Sequence, residues 1–421
     1  MHETLDAPSK QPIRLTIHGD NVVECDRALS HLEEALGFNA DWVPRSDPRK
    51  PTFAGFCRPT GHPVEVTLLP GHGRWGFDIP RALMGLGSTI RENADAVITI
   101  TDGNSERILL AMEFCGALPA GNNAWQRHGR AFSFGQAGIP YLIYSEVGGQ
   151  ELNADRTEKA SRLPNPAVPY SLVLFSRQTK VAVLPVYEAA PSATETARKM
   201  FLPAMGKQAG IEFLRDIVLG SEPAGAVREL ERRALHMAKL ITSQRRKVDG
   251  YSAEQWTELL VSTGSPFEYH LGRGRTWTRK AGDKVKSTPT ARLLQANLNI
   301  FGPISVGSDG LPILLIDGNK KASFSRLLSQ LYDSATAGAL HKWLEKDPGP
   351  VAIVLVTGFK PAGGDSRPDR GLVPLARMLL GPSARILTLI WGPARPSLLR
   401  QIQSSPQAAA ASNGLLQAVF S

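Results

Sequence analysis

"ADAVITITDGNSERILLAMEFC", residues 94–115, is the stretch on which the fold turns. Two runs of aliphatic and β-branched residues, 95–101 and 107–114, flank the turn-forming "DGNSE" at 102–106. That is the pattern of two antiparallel strands joined by a short turn. Asp95 opens the first strand and Glu113 ends the second, so a hairpin brings the two carboxylates to one end. Mg2+ takes oxygen ligands, usually one or two carboxylates plus water and phosphate oxygens. A shared divalent ion would need this register.

Further strand-length apolar runs lie at 13–17, 64–69, 139–145, 171–175 and 180–187, each bounded by Gly, Pro, Asn or Asp. Helical patterns lie between them at 21–37, 78–94 and 122–135. In the first of these, Val22, Val23, Leu29, Leu32 and Leu36 fall broadly on one face, and Asp20 and Asn21 suit its cap. The alternation predicts an α/β fold with a mixed sheet flanked by helices. Texture changes over 190–225, and a long charged helix follows at 224–248. After a basic, weakly periodic stretch at 270–292, α/β character returns. It has strands at 311–317, 351–359 and 385–392, and helices over 323–346 and 373–380. The small, polar residues 404–421 read as a frayed tail. A division near 222 separates residues 1–222 from a second α/β domain, 223–421.

Bulk composition narrows the function. Forty-eight Lys and Arg against 39 Asp and Glu leave a net charge of +9, which leans toward a polyanionic partner such as nucleic acid. Three cysteines without CxxC spacing argue against a disulfide framework or structural zinc. No apolar run approaches the roughly 20 residues that span a bilayer, and the first residues lack the apolar core of a signal peptide. A cytoplasmic protein is expected. No P-loop and no G-x-S-x-G elbow occur, which disfavours an ATP-driven enzyme and a Ser-His-Asp hydrolase. His18 and Asp20 are similar to a metallophosphatase fragment, but its partner motifs are missing and His18 reads as a strand-end histidine.

A third acid, Glu24, sits among apolar neighbours on the first helix, and the helix after Glu113 carries Gln126, Arg127 and Arg130. A helix glutamate, an aspartate and a glutamate on a hairpin, then a helix with Gln and Arg resembles the PD-(D/E)XK nuclease superfamily. The closest likeness within it is to type II restriction endonucleases. The resemblance covers residues 13–145. It implies that Asp95 and Glu113 ligate Mg2+. Glu24 would be an accessory acid binding a second metal or a metal-bound water, and Gln126 would order a water or phosphate. Arg127 and Arg130 would hold the flanking DNA backbone. Cys115 stands where the pattern has lysine. A thiol with a reference pKa near 8.5 cannot supply a positive charge, so Cys115 reads as small apolar packing. The lysine's role is then absent or relocated to Gln126, Arg127, Asn122 or Asn123.

Arg273, Arg275, Lys280, Lys284 and Lys286, with Trp277 among them, suit a loop tracking a phosphate backbone; a solvated surface loop fits equally. Arg367 and Arg370 suit contacts to base edges or an internal Asp–Arg clamp. The expectation is an Mg2+-dependent endonuclease of type II restriction type acting on double-stranded DNA. It would be a homodimer with one site per strand and have a cognate DNA methyltransferase in the host. The alternative is a non-catalytic DNA-binding or defence-complex protein on a decayed nuclease fold; an RNA or modified-DNA nuclease is a third reading.

Overall fold

The computed structural model describes residues 11–103, 105–116, 122–149, 167–245, 298–301, 312–356 and 385–391, with short pieces at 275–276, 305–306, 374–375, 377–378, 381, 409–412 and 416–420. The chain forms two compact units. One is Met1–Ala117, Phe134–Gly149 and Val181–Arg233; the other is Leu118–Ser133, Gln150–Lys180 and Ala234–Ser421.

The first unit is built on an eight-stranded mixed sheet in the order β2-β3-β4-β1-β5-β6-β7-β8. Its strands are β1 (Ile13–Gly19), β2 (Asp41–Trp42), β3 (Thr52–Phe56), β4 (Pro63–Pro70), β5 (Ala96–Asp102), β6 (Ser105–Cys115), β7 (Tyr141–Val147) and β8 (Val183–Ala189). The helices of this part of the chain are α1 (Val22–Leu36), α2 (Ile79–Gly85), α3 (Asn122–Gln136), α4 (Ala167–Thr179), α5 (Glu195–Phe201), α6 (Lys207–Val218) and α7 (Ala224–Arg245). β1 runs parallel to β4 and antiparallel to β5; β5 and β6 form the antiparallel hairpin; β6, β7 and β8 are parallel.

Side-chain alternation gives this sheet two faces. One carries Phe114 and Tyr144, on which His31 of α1 stacks, and Val186, against which Gly210 of α6 closes. The opposite face carries Ala111 and Glu113 of β6 with their β7 partners Tyr141 and Ile143, and His18 of β1 with its β5 partner Val97. The tight turn from β1 into α1 needs a glycine, since a Cβ at Gly19 would lie 2.5 Å from Cys25 Sγ. Gly37 ends α1 in the left-handed region, φ 62°.

Several expectations are corrected. α1 buries Cys25, Ala28, Leu29, Leu32, Ala35 and Leu36, whereas Val22 and Val23 are 58% and 63% exposed. Its buried 3.6-residue stripe starts at Cys25, after the turn that holds both valines. The run 171–175 is not a strand but the middle of α4. Residues 168–175 are buried on every side, and such a run carries no period to tell helix from strand. The helix expected over 78–94 stops at Gly85.

The second unit holds a seven-stranded sheet in the order β14-β15-β13-β12-β11-β10-β9. Its strands are β9 (Arg275–Thr276), β10 (Ser305–Val306), β11 (Pro312–Ile316), β12 (Val351–Val356), β13 (Ile386–Trp391), β14 (Ala409–Ser412) and β15 (Leu416–Phe420). A core of Phe301, Leu314, Phe324, Leu328, Leu340, Val351 and Leu387 lies beneath it. The helix expected over 323–346 is two helices, α8 (Lys321–Leu331) and α9 (Ser334–Glu345). They part at Asp333, whose carboxylate caps α9 by accepting from Thr336 N–H at 2.9 Å. The expected frayed tail is corrected as well: β15 pairs with both β13 and β14. Among the described residues no helix is long and apolar enough to cross a membrane.

Candidate functional site

The β5–β6 ladder pairs Ala96 with Met112 and Val97 with Ala111. Asp95 directly precedes this ladder, and Glu113 directly follows Met112 on the face away from α1. The Asp95 carboxylate accepts a hydrogen bond from the Phe114 backbone N–H at 2.9 Å, which ties the start of one strand to the end of the other. Glu113 is fully buried and accepts from the Tyr141 hydroxyl at 3.0 Å. Burying a carboxylate costs several kcal/mol unless donors or a cation compensate it. Tyr141 is one such donor.

Glu24 comes to the same end of the sheet because α1 starts directly after β1. Asp20 N–H, at that junction, bonds to the Asp95 carbonyl at 2.8 Å. Asn21 caps α1 by accepting from Val23 N–H at 2.9 Å and Glu24 N–H at 3.2 Å. Glu24 is half-buried, and its Oε2 is enclosed without a hydrogen-bond partner among the described residues. Burial raises its pKa first, then the Asp95 charge; Arg27 opposes, and Glu113 and Asp20 add smaller increases. Glu24 thus feels the charge of both other carboxylates. Among the described residues, no group of three or more His, Cys, Asp or Glu side chains closes into a metal-holding geometry. The donor set at this end of the sheet is all oxygen. This suits a hard cation such as Mg2+, which keeps several waters and needs only one or two carboxylates.

Cys115 is buried, beside Glu113 on β6, and forms no disulfide. The positive charge that reaches Glu24 comes instead from Arg27, three residues along α1. Arg27 lies 4.6 Å over the Phe114 ring and 3.4 Å from Glu146. Arg27 is not among the residues expected from the strand and the helix after it. The i, i+3 spacing from Glu24 on the first helix is the signal that would have found it.

A second polar group was also missed. His18 Nε2 lies 2.6 Å from Glu106 Oε1, which also accepts from the Thr99 hydroxyl at 2.5 Å, and His18 is only 3% exposed. The β5–β6 register shifts between Ile98 and Thr99. That bulge brings Glu106 onto the face of His18, and a bulge leaves little trace in a hydrophobic pattern.

The remaining expected residues are placed separately. Arg127 and Arg130 are half-buried on α3, in the stretch that belongs to the second unit. The side chains of Gln126, Asn122 and Asn123 lie outside the described residues, as do Arg273, Trp277, Lys280, Lys284, Lys286, Arg367 and Arg370. Arg275 is in β9, the last strand of the second sheet, paired with Val306. Comparison of the chain with protein-family models, with curated proteins and with solved structures returns no match.

Proposed function

We propose that the chain is a Mg2+-dependent DNA endonuclease of restriction type, of the PD-(D/E)XK plan, hydrolysing phosphodiester bonds in duplex DNA. The observation that carries this reading is the Asp95 carboxylate bonded to the backbone N–H next to Glu113 at the end of the β5–β6 hairpin, with the Glu24 charge coupled to both. Gathering carboxylates at one place is unfavourable by itself, and a cation relieves it.

Asp95 and Glu113 would hold the ion, Tyr141 fixing the Glu113 carboxylate. When bound, the metal would stabilise charge developing on the scissile phosphate and lower the pKa of a coordinated water. Glu24, its pKa raised by burial and by Asp95, would position the attacking water. Arg27 supplies the positive charge that the Cys115 thiol cannot. Gln126 remains a water-ordering candidate; Arg127, Arg130, Arg275 and the basic 270–292 stretch remain candidates for phosphate contacts. The partner is double-stranded DNA, cut by a homodimer with one site per strand, in a cytoplasm where a cognate DNA methyltransferase protects the host.

A second reading is a DNA-binding or defence-complex protein on a decayed nuclease fold. Cys115 at the lysine position favours it. A plasmid-cleavage assay with Mg2+, comparing wild type with Glu113→Gln, separates the two. Cleavage lost in the variant supports the nuclease. Salt-sensitive DNA binding without cleavage in either protein supports the second reading.

A further inference from the structure

A cleft of about 280 Å³ opens on the sheet face that carries Glu113, lined by His18, His72, Trp75, Phe77, Asp78 and Asn93. Its aromatic walls are held in place. The His18 ring is fixed by Glu106 and lies 5.2 Å from Phe77, the planes tilted by 33°. Trp75 is half-buried and donates its Nε1–H to the Pro70 carbonyl at 2.9 Å. His72 Nε2 lies 2.8 Å from the Ala94 carbonyl, so the cleft reaches the residue next to Asp95. Asn93 accepts from Ala94 N–H at 3.2 Å through its side-chain oxygen. Its amide nitrogen therefore remains a donor at the rim.

Three features select the occupant. The volume falls just below the roughly 300 Å³ at which drug-sized pockets begin, which leaves room for one planar ring system. The half-buried residues His72, Trp75 and Phe77 put aromatic rings on the cleft wall, and stacking on such rings tolerates any base because every base has a π-face. The polar groups at the rim, Asn93 and Asp78, are a donor and an acceptor suited to the edge of a heterocycle. Asp78 is engaged with Arg81 N–H at 3.0 Å and lies 3.8 Å from Arg91, so it is anchored rather than mobile.

We infer that this cleft receives one nucleobase, turned out of the stack, from the strand whose phosphate is held at Asp95 and Glu113. The inference rests on the nuclease reading for the position of that phosphate. Unstacking a base costs a few kcal/mol, and stacking on Trp75 and Phe77 returns an amount of similar size.

The test uses the full chain with a single-stranded oligothymidylate carrying 5-iodouracil, irradiated in Ca2+ in place of Mg2+, with the cross-linked peptide identified by mass spectrometry. The cross-link is expected at Trp75 or Phe77. Trp75→Leu is expected to weaken binding of the same oligonucleotide by roughly tenfold or more, the size of a lost base–aromatic stack. Trp75→Phe should keep most of the binding. If Trp75→Leu does not fold, the wild-type cross-link decides. Cross-links confined to other segments, or Trp75→Leu binding and cleaving like wild type while Mg2+-dependent cleavage is intact, overturn the cleft and leave the nuclease standing. A cross-link at Trp75 or Phe77 with no cleavage of any DNA keeps the cleft as a base-binding site and removes the nuclease reading.

Discussion

The Asp95 carboxylate accepts a hydrogen bond at 2.9 Å from the backbone N–H of Phe114, the residue after Glu113. Asp95 therefore has a structural role before any catalytic one, and the two can be separated. Asp95→Asn keeps an acceptor for Phe114 N–H, so thermal stability should stay within about 1 kcal/mol of wild type, whereas Asp95→Ala should lose about 1–3 kcal/mol. Both should lose cleavage by a hundredfold or more, the order expected when a group stabilising transition-state charge is removed. Denaturant titration and plasmid cleavage measure the two effects. Equal stability losses in both variants would remove the structural role.

Glu24 is held at a cost to the fold. Its pKa is raised by burial and by Asp95, so its charged form is disfavoured there. Glu24→Gln should leave the metal-free protein as stable as wild type or slightly more so, while cutting the melting-temperature gain produced by Mg2+. Differential scanning fluorimetry with EDTA and with Mg2+ reads both. A destabilised metal-free variant with an unchanged Mg2+ gain would contradict the account.

On the nuclease reading, Arg27 is the cation that serves in place of the pattern's lysine. Arg27→Ala should reduce cleavage about tenfold or more, in the range of lost acid–base and electrostatic contributions. It should also lose about 1 kcal/mol of stability through the Phe114 ring and Glu146 contacts. Arg27→Lys should recover much of the cleavage. Cys115→Ser, by contrast, should alter stability and leave the catalytic rate per folded molecule unchanged, since the thiol is packing. Steady-state rates of the three purified variants test this; a rate loss confined to Cys115→Ser would reverse the assignment.

His31, stacked on Phe114 and Tyr144, gives the fold a pH dependence. Burial, then the Lys207 charge, lowers its pKa from 6.5 to about 4; Glu34 opposes the shift and Arg27 adds to it. Between those values the unfolded chain takes up a proton that the folded chain refuses, so stability falls as pH drops from 6.5 toward 4. Above 6.5 the effect is absent. His31→Phe should flatten the stability profile across that window in urea unfolding. Parallel profiles for variant and wild type would show that His31 does not carry it.

How much of this was legible in the sequence differs by element. The β5–β6 hairpin, β1, β4, β7 and α1 are written plainly, because turn residues bound β-branched runs of strand length and a glycine ends the helix. α4 is not, because a run buried on all sides has no period. β14 and β15 hide in an alanine-rich segment, although Asn413–Gly414 between them is a hairpin-turn dipeptide. The carboxylates of the candidate site follow from strand order and could be named. Arg27 leaves only its i, i+3 spacing from Glu24 as a trace, and the His18–Glu106 pair leaves none, since it needs the bulge after Ile98.

Whether Asp95 and Glu113 together hold a divalent ion that cuts DNA can be read from one assay. The most direct measurement is cleavage of supercoiled plasmid by the full-length protein in Mg2+, run beside Glu113→Gln and beside wild type in EDTA. Nicked or linear product is expected with wild type and Mg2+ alone. Product that persists in Glu113→Gln, or in EDTA, contradicts it.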